Sequence, residues 1–482
     1  MPGVSESPIS SMIGVVARKE LKSLFRDGRI RLTGVIVVVM LIVAVATAVQ
    51  RYIDISAERS AAQALVTEQW QAQGEKNPHA AAHYGLHAFK PVTPLTFFDT
   101  GVTNFEGVSI WLGAHRRNRA DARPADDMTA MARFGELTGA YVLQVFMPLL
   151  IILIAFSSIA GEREQGTLRQ VLSTGIRPGA LVIGKALGAL TAVGLILGPL
   201  LLIALIALVF APSGTTYLPQ ALLMLLFYAV FAVVYVLICL AVSARARSAQ
   251  FALVVLVGFW VVTTFAVPRF AVDLGAYSAA VPSAAQLQSW IDEDIQSGLD
   301  GISPAAVIEE RRQKTLALYN AQSVDELPIN FQGIVFSLQE ELGGQVYDKH
   351  FSELGDTFQS QIDLFEVAGL LSPRIPVQLI SMELAGTSIS DHLAFSDHAE
   401  VFRREMIELM NQDITLNSQP GETAYRAGPA LWEKIGEYQP ATPTLADALG
   451  RLGPALMTLT LWLIAGIGAA WVAVRRLSAL AA

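Results

Sequence analysis

Apolar residues occur along this chain in long runs that are separated by two long polar stretches. Six runs, at residues 33–50, 139–160, 181–210, 219–242, 251–268 and 453–474, carry no Asp, Glu, Lys or Arg near their centres. A helix needs about 20 such residues to cross the hydrocarbon core of a bilayer. The pattern therefore predicts an all-α polytopic membrane protein with six transmembrane helices. A composition of 53% hydrophobic and 16% charged residues agrees with this prediction.

Basic residues near the ends of the runs predict the orientation, because short cytoplasmic flanks are enriched in Lys and Arg. They cluster before the first run, in the loop after the second, at Arg245 and Arg247, and at Arg475 and Arg476. Both termini are thus predicted to be cytoplasmic. The predicted layout is a cytoplasmic N-terminus (1–32), first span (33–50), outer segment A (51–138), second span (139–160), cytoplasmic loop (161–180), spans three to five (181–268), outer segment B (269–452), sixth span (453–474) and cytoplasmic tail (475–482).

The two outer segments are predicted to form one mainly helical extracytoplasmic domain. Helical patterns cover 54–73, 78–88, 284–298, 303–321, 334–370 and 390–413, with a short strand near 107–112. Gly343 and Gly344 are expected to interrupt the longest helix. The chain has one cysteine, Cys239, so this domain must be held together without an internal disulfide.

Residues 12–31 have the pattern of an amphipathic helix that lies in the headgroup layer. Its apolar side includes Leu21, Leu24 and Phe25, whereas Arg18 lies on the basic side and Glu20 is an acidic exception there. One interpretation is a basic topology signal that happens to be helical. The other is an elbow helix that leads into the first span.

A partial phosphate-loop motif, GALVIGKA, occurs at residues 179–186. The motif requires a Ser or Thr hydroxyl for Mg²⁺ after its lysine, but this chain has Ala186 there. The stretch also opens an apolar run instead of following a buried strand. We therefore predict that it binds no nucleotide and that Lys185 extends to the membrane surface.

The cytoplasmic loop after the second run combines charged and apolar residues at helical spacing. Glu162 and Glu164 come first, Gly166 and Thr167 begin a turn, and Leu168 and Leu172 then form an apolar ridge. A short helix with such a ridge suits insertion into a groove on another protein.

The segment SIAGEREQGTLRQVLSTGIRPGALVIGKAL resembles the region after the second span in ABC-type-2 transporter permeases, and RKELKSLFRDGRI resembles their elbow helix. The resemblance implies that the residues of 162–172 form a coupling helix for a separate cytoplasmic ATPase. It further implies two ATPase copies, which bind ATP and Mg²⁺, and a second permease that is identical or closely related. The permease itself then needs no cofactor. Outer stretches such as HYGLHAFKPVTPLTFFDTG and MELAGTSISDHLAFSDHAE resemble a branch with a periplasmic domain of unknown function, which implies the inner membrane of a bacterium.

Three histidines of outer segment A, His79, His83 and His87, are spaced four residues apart and would stack on one helical face. Imidazoles at this spacing can share a metal ion. The alternative is surface or interface packing, which is favoured because Gly85 weakens the helix and the turn offers no carboxylate. The basic stretch 115–123 is interpreted as a solvated loop or as a contact for anionic lipid headgroups or an acidic partner.

The sequence thus predicts a non-catalytic permease subunit of an ABC exporter, with membrane lipids and a periplasmic protein as further candidate partners and no nucleic acid. No pattern of catalytic residues is present, and the spans lack the ionisable groups of proton- or sodium-coupled carriers. The alternative is an ATPase-driven mechanotransmission device that acts on a periplasmic or outer-leaflet target without moving solute. A receptor or scaffold without transport is the third hypothesis.

Overall fold

The computed structural model describes residues 9–126 and 137–481. Among these residues six helices are long and apolar enough to span a membrane, and we number them span 1 to span 6. They are Ile30–Gln71, Gly139–Glu164, Pro178–Phe210, Gly214–Arg245, Ala249–Ser278 and Gly453–Ser478. The predicted all-α polytopic fold with six transmembrane helices is confirmed.

Span 1 continues far beyond the membrane. Its helix, Gly28–Gln71, has 44 residues and is therefore about 66 Å long, whereas the hydrocarbon core is about 30 Å thick. At its outer end Trp70 is fully buried, and its ring meets that of Trp432 edge to face at 5.8 Å. The first span and the helix predicted at 54–73 are thus one rod that enters the core of the outer domain.

Spans 2 and 5 each contain a π-helical segment, at Val142–Phe146 and Val262–Ala266. A π-helical turn shifts the hydrogen-bonding pattern and offers carbonyl groups to neighbours. The Trp260 indole donates to the Val145 carbonyl at 3.0 Å, and the Arg374 guanidinium donates to the Thr264 carbonyl. These bonds are needed because lipid cannot satisfy a polar backbone group.

The outer domain is mainly helical, as predicted, with one two-stranded sheet among the described residues. Strands β1 (Leu86–Phe89) and β2 (Ser109–Leu112) pair antiparallel, with Leu86 opposite Leu112. The main helices are Pro78–Tyr84, Ala284–Ser297, Pro304–Tyr319, Phe331–Ala368, Arg374–Ala385, Ile389–Asn417, Pro429–Ile435 and Leu445–Arg451. The core around Trp70 and Trp432 joins span 1, both strands and helix Ile389–Asn417.

Helix Phe331–Ala368, which we call the long outer helix, runs without interruption through Gly343 and Gly344. The predicted break was wrong because glycine inside a helix costs only about 1 kcal/mol, which packing along 38 residues can offset. Gly333 has a different role. A Cβ atom there would lie 2.2 Å from Thr415 Oγ1, so this glycine allows the long outer helix to approach helix Ile389–Asn417 closely.

Helix Arg374–Ala385, which we call the wedge helix, lies against spans 4 and 6 at the outer end of the bundle. Ile375, Ile380 and Leu384 are fully buried there. The turn before the wedge helix is held by Trp462 of span 6, whose indole donates to the Gly369 carbonyl at 2.8 Å. Part of outer segment B therefore packs against the outer end of the transmembrane bundle, which we call the outer mouth.

Candidate functional site

The elbow helix, Ile9–Arg26, packs along span 3, at the end of the bundle that the basic flanks predict to be cytoplasmic. Gly184 and Gly188 allow this close approach, since a Cβ atom at 184 would lie 2.6 Å from Val16 Cβ and one at 188 would lie 2.8 Å from Glu20 Cβ. Glycines four residues apart bring helix backbones together in this way in membrane proteins. Gly184, the second glycine of the partial phosphate-loop motif, therefore allows the two helices to pack closely.

A cluster of charged side chains, most of them buried, lies where the elbow helix, span 3 and the connection between spans 2 and 3 meet. The Lys185 ammonium donates to Glu20 Oε2 at 3.1 Å and to Glu162 Oε1 at 3.0 Å. Lys19 donates to the same Glu162 oxygen at 2.7 Å, and Ser158 Oγ donates to Glu20 Oε1 at 2.9 Å. We call Lys19, Glu20, Ser158, Glu162 and Lys185 the ion cluster.

The prediction that Lys185 extends to the membrane surface was wrong. Its side chain is 1% exposed, and both carboxylates that it contacts are largely buried. A buried ammonium is stable only when it is paired and hydrogen-bonded. Glu20, the acidic exception on the basic side of the elbow helix, supplies one of those partners.

The end of span 2 and the connection to span 3, which together we call the coupling segment (160–177), have two short helices, Ala160–Glu164 and Thr167–Ser173. Gly166 lies between them in the left-handed region, at φ 74°. Span 4 and this segment cap each other. Ser243 Oγ accepts from the backbone N–H groups of Ile159 and Ala160, and Arg163 donates to the carbonyls of Ala244 and Ala246.

The predicted apolar ridge of the coupling segment does not face outward. Leu168 is 3% exposed and Leu172 is 7% exposed, and both pack into the core of the transmembrane domain. The prediction that these leucines insert into a partner was therefore wrong, because their own chain covers them. The exposed surface of the segment is mainly polar and consists of Glu164, Gln165, Gly166, Arg169, Gln170, Ser173, Thr174, Gly175 and Arg177.

Other predicted residues divide between the two sides of the elbow helix. Leu24 is buried and Leu21 is half-buried, as an amphipathic helix requires. Arg18 is exposed, and Phe25 is 40% exposed although its position belongs to the apolar side.

Thr167 of the coupling segment is half-buried, and its hydroxyl donates to the Glu162 carbonyl at 3.2 Å, which links the two helices of that segment.

A second polar network lies at the outer mouth, and sequence reasoning missed it. Gln144 of span 2 donates to the Tyr228 hydroxyl at 3.0 Å, and that hydroxyl donates to Ser381 of the wedge helix at 3.0 Å. Ser381 in turn donates to Asp99 of outer segment A. Burial raises the pKa of the Asp99 carboxyl. Chain positions this far apart give no local signal in a single sequence.

The histidines of outer segment A lie in two places. His79 and His83 lie on helix Pro78–Tyr84, and their Nε2 atoms are 3.1 Å apart. His115 completes a cluster in which the three ring nitrogens lie within 4.8 Å of one another. His87 is not part of it, because the helix ends at Tyr84 and His87 lies on β1, where its Nδ1 contacts Ser109 Oγ at 3.0 Å. The predicted helical face was therefore wrong for His87.

Glu340 of the long outer helix connects the histidine cluster to a buried ion pair. His115 Nδ1 lies 2.9 Å from Glu340 Oε1, and the Arg403 guanidinium donates to Glu340 Oε2 at 2.9 Å. Burial opposes ionisation of Glu340, but these contacts outweigh it and hold its pKa at about 2. Burial and the neighbouring rings of His83 and His115 lower the pKa of His79 to about 4.

The basic stretch 115–123 is partly buried in the outer domain. The Arg117 side chain is 9% exposed, forms ion pairs with Asp397 and Asp348, and lies over the Phe351 ring at 4.4 Å. Arg116 and Arg119 are exposed. The proposed contact with lipid headgroups or an acidic partner stays a prediction for the exposed arginines only.

Comparison with known proteins gives two matches to family models. The model described as ABC-2 family transporter protein matches residues 15–358, well over half of the chain. The model described as Domain of unknown function (DUF3526) matches residues 303–441, which include the whole of the long outer helix, the wedge helix and helix Ile389–Asn417. No curated protein matches the chain significantly.

Proposed function

The chain belongs to the ABC-2 transporter family and is the membrane subunit of an ABC transporter, and from this premise we propose that it is half of an exporter. A separate cytoplasmic ATPase docks on the coupling segment and drives it, while ATP and Mg²⁺ bind to that ATPase. Two ATPase copies and a second permease, identical or closely related, complete the assembly. Both termini lie in the cytoplasm, as the basic flanks of the spans indicate.

The observation that carries this proposal is the ion cluster. It connects the coupling segment through Glu162 to span 3 through Lys185 and to the elbow helix through Glu20. Span 4 joins the same unit, because its Ser243 hydroxyl accepts from the Ala160 N–H and its Ala244 carbonyl accepts from Arg163. A displacement of the exposed polar surface of this segment must therefore move the elbow helix and two spans together.

The outer domain supports a second candidate function, mechanotransmission to a periplasmic or outer-leaflet target. The long outer helix and the 44-residue helix of span 1 connect the bundle to the outer domain, and the wedge helix lies inside the outer mouth. Movement of the spans would thus reach the outer domain directly. Inverted vesicles containing the complex separate the two functions, since only an exporter accumulates solute on ATP addition.

Cysteine labelling in intact cells tests the proposed orientation. Ser173→Cys lies on the exposed surface of the coupling segment and should not react with a membrane-impermeant thiol reagent. Ser297→Cys, on an exposed outer helix, should react. The native Cys239 is fully buried and contributes little background. Labelling of Ser173→Cys in sealed cells would contradict cytoplasmic docking.

Charge reversal on the coupling segment tests the docking surface. Arg169→Glu combined with Gln170→Glu is expected to reduce, by about tenfold, the ATPase that co-purifies in mild detergent, because rim charges at an interface contribute modestly to affinity. Both side chains are exposed, so the thermal stability of the permease should not change. Leu168→Asp is unsuitable because it would place a carboxylate in the core.

Arg247→Glu is the matched control, since Arg247 is an exposed arginine of the neighbouring cytoplasmic loop. It should retain the ATPase. Wild-type assembly of the double variant together with detachment by Arg247→Glu would move the docking surface away from the coupling segment.

A further inference from the structure

We propose that His79, His83 and His115 bind a divalent transition-metal ion, with Zn²⁺ as the probe, on the surface of the outer domain. The three rings surround a common point. Their centroids lie 4.6, 5.0 and 5.4 Å apart, and the His79 and His83 Nε2 atoms are 3.1 Å apart. Nitrogen ligands about 2.0 Å from a tetrahedral Zn²⁺ lie roughly 3.3 Å from one another.

The surrounding residues orient each ring. His79 stacks on Phe336, with centroids 3.9 Å apart and planes 7° apart. His79 and His83 lie one turn apart on a helix that is capped by Asn77, whose side chain accepts from the His79 backbone N–H at 2.9 Å. The spacing thus places both Nε2 atoms on one face.

His115 has the arrangement that is typical of a metal ligand with a supporting carboxylate. Its Nδ1 contacts Glu340 Oε1 at 2.9 Å, which leaves Nε2 for an ion. The backbone N–H of His115 also donates to that Glu340 oxygen, and the residue has a φ of 68°. A left-handed conformation is uncommon outside glycine, although histidine adopts it more often than most residues, and such residues concentrate at functional sites.

The donor set indicates the class of ion. Three imidazole nitrogens without a carboxylate in the first shell suit Zn²⁺ or Cu²⁺, whereas Ca²⁺ and Mg²⁺ require oxygen ligands. The His83 side chain is exposed, and 36% of the His115 side chain is exposed. A fourth position therefore faces the solvent and can accept water or a ligand from outside.

The ion would also link the two outer segments. All three ligands belong to outer segment A, whereas Glu340 and Phe336 belong to the long outer helix of outer segment B. Binding to the folded domain alone stabilises it by mass action. Zinc should therefore raise the unfolding temperature of the outer domain.

Zinc titration of the full-length, tag-free protein in detergent tests the proposal. After chelator treatment, calorimetry with ZnCl₂ at neutral pH should give one ion per chain. His79→Ala, His83→Ala and His115→Ala should each weaken binding by about 100-fold and remove the zinc-dependent rise in unfolding temperature. Glu340→Gln, which changes a positioning residue, should weaken it by about 10- to 100-fold.

His87→Ala is the matched control, because His87 is an exposed histidine of the same segment that lies outside the cluster. It should bind zinc as the wild type does. Should an alanine variant fold poorly, His83→Gln at an exposed position gives the same test. No binding to the wild type at micromolar zinc, or an equal loss in His87→Ala, would overturn the proposal.

Discussion

Replacement of Lys185 by methionine is expected to lower the free energy of unfolding by about 3 to 5 kcal/mol, because removing one partner of a buried ion pair leaves the other charge uncompensated. Glu20, whose side chain is 8% exposed, would then keep the Ser158 hydroxyl as its hydrogen-bond donor and lose its direct ion pair. The coupling segment would also lose its connection to span 3. Thermal unfolding in detergent should show the loss of stability, and assembled complexes should hydrolyse ATP without moving solute.

Lys19→Met is the matched control, because Lys19 contacts the same Glu162 oxygen but is 58% exposed. An exposed pair contributes at most about 1 kcal/mol. Combining Lys185→Met with Glu20→Gln should recover part of the stability, since the amide oxygen still accepts from Ser158 and needs no cation. If Lys185→Met is no less stable than Lys19→Met, the ion cluster does not hold these elements together.

The sequence was sufficient for the transmembrane fold because each span carries its own signal. Long apolar runs and basic flanks are local patterns, and the six predicted spans correspond to six helices. The structure of the ion cluster depends on contacts between distant segments. Lys185 was interpreted as a surface residue because the partner that buries it, Glu20, lies on the elbow helix. Gly184 and Gly188 were the available local signal, since their spacing indicates close helix packing.

In the outer domain, too, local patterns predict the helices but not the contacts between distant segments. Its helices were predictable from capping residues and periodicity, as with Asn77 and Pro78. The wedge helix was not, because burial of its apolar residues among the spans depends on tertiary packing. His115 joins His79 and His83 only because the chain reverses through β1 and β2. Helical spacing alone therefore favoured His87, which the helix end at Tyr84 removes from the cluster.

Arg403→Met is expected to destabilise the outer domain by about 3 to 5 kcal/mol. The guanidinium is 2% exposed and donates to both oxygens of Glu400, at 2.8 and 2.9 Å. It also donates to Glu340 and to the Gly113 carbonyl. Methionine fills a similar volume but supplies no donor to Glu400 Oε2, Glu340 Oε2 or the Gly113 carbonyl, and one buried positive charge is lost. Denaturant unfolding followed by the fluorescence of Trp70 and Trp432, against variants that lack them, would measure the change.

Arg404→Met separates the effect of burial from that of charge. Arg404 contacts the same Glu400 at 2.7 Å and pairs with Asp348, but its side chain is 39% exposed. Water can replace its hydrogen bonds, so the loss should be no more than about 1 kcal/mol. Equal losses in the two variants would mean that the net charge around Glu400 decides stability. A much larger loss for Arg403→Met would mean that the buried, bidentate geometry of Arg403 decides stability. The same geometry would then hold Glu340 in position beside His115.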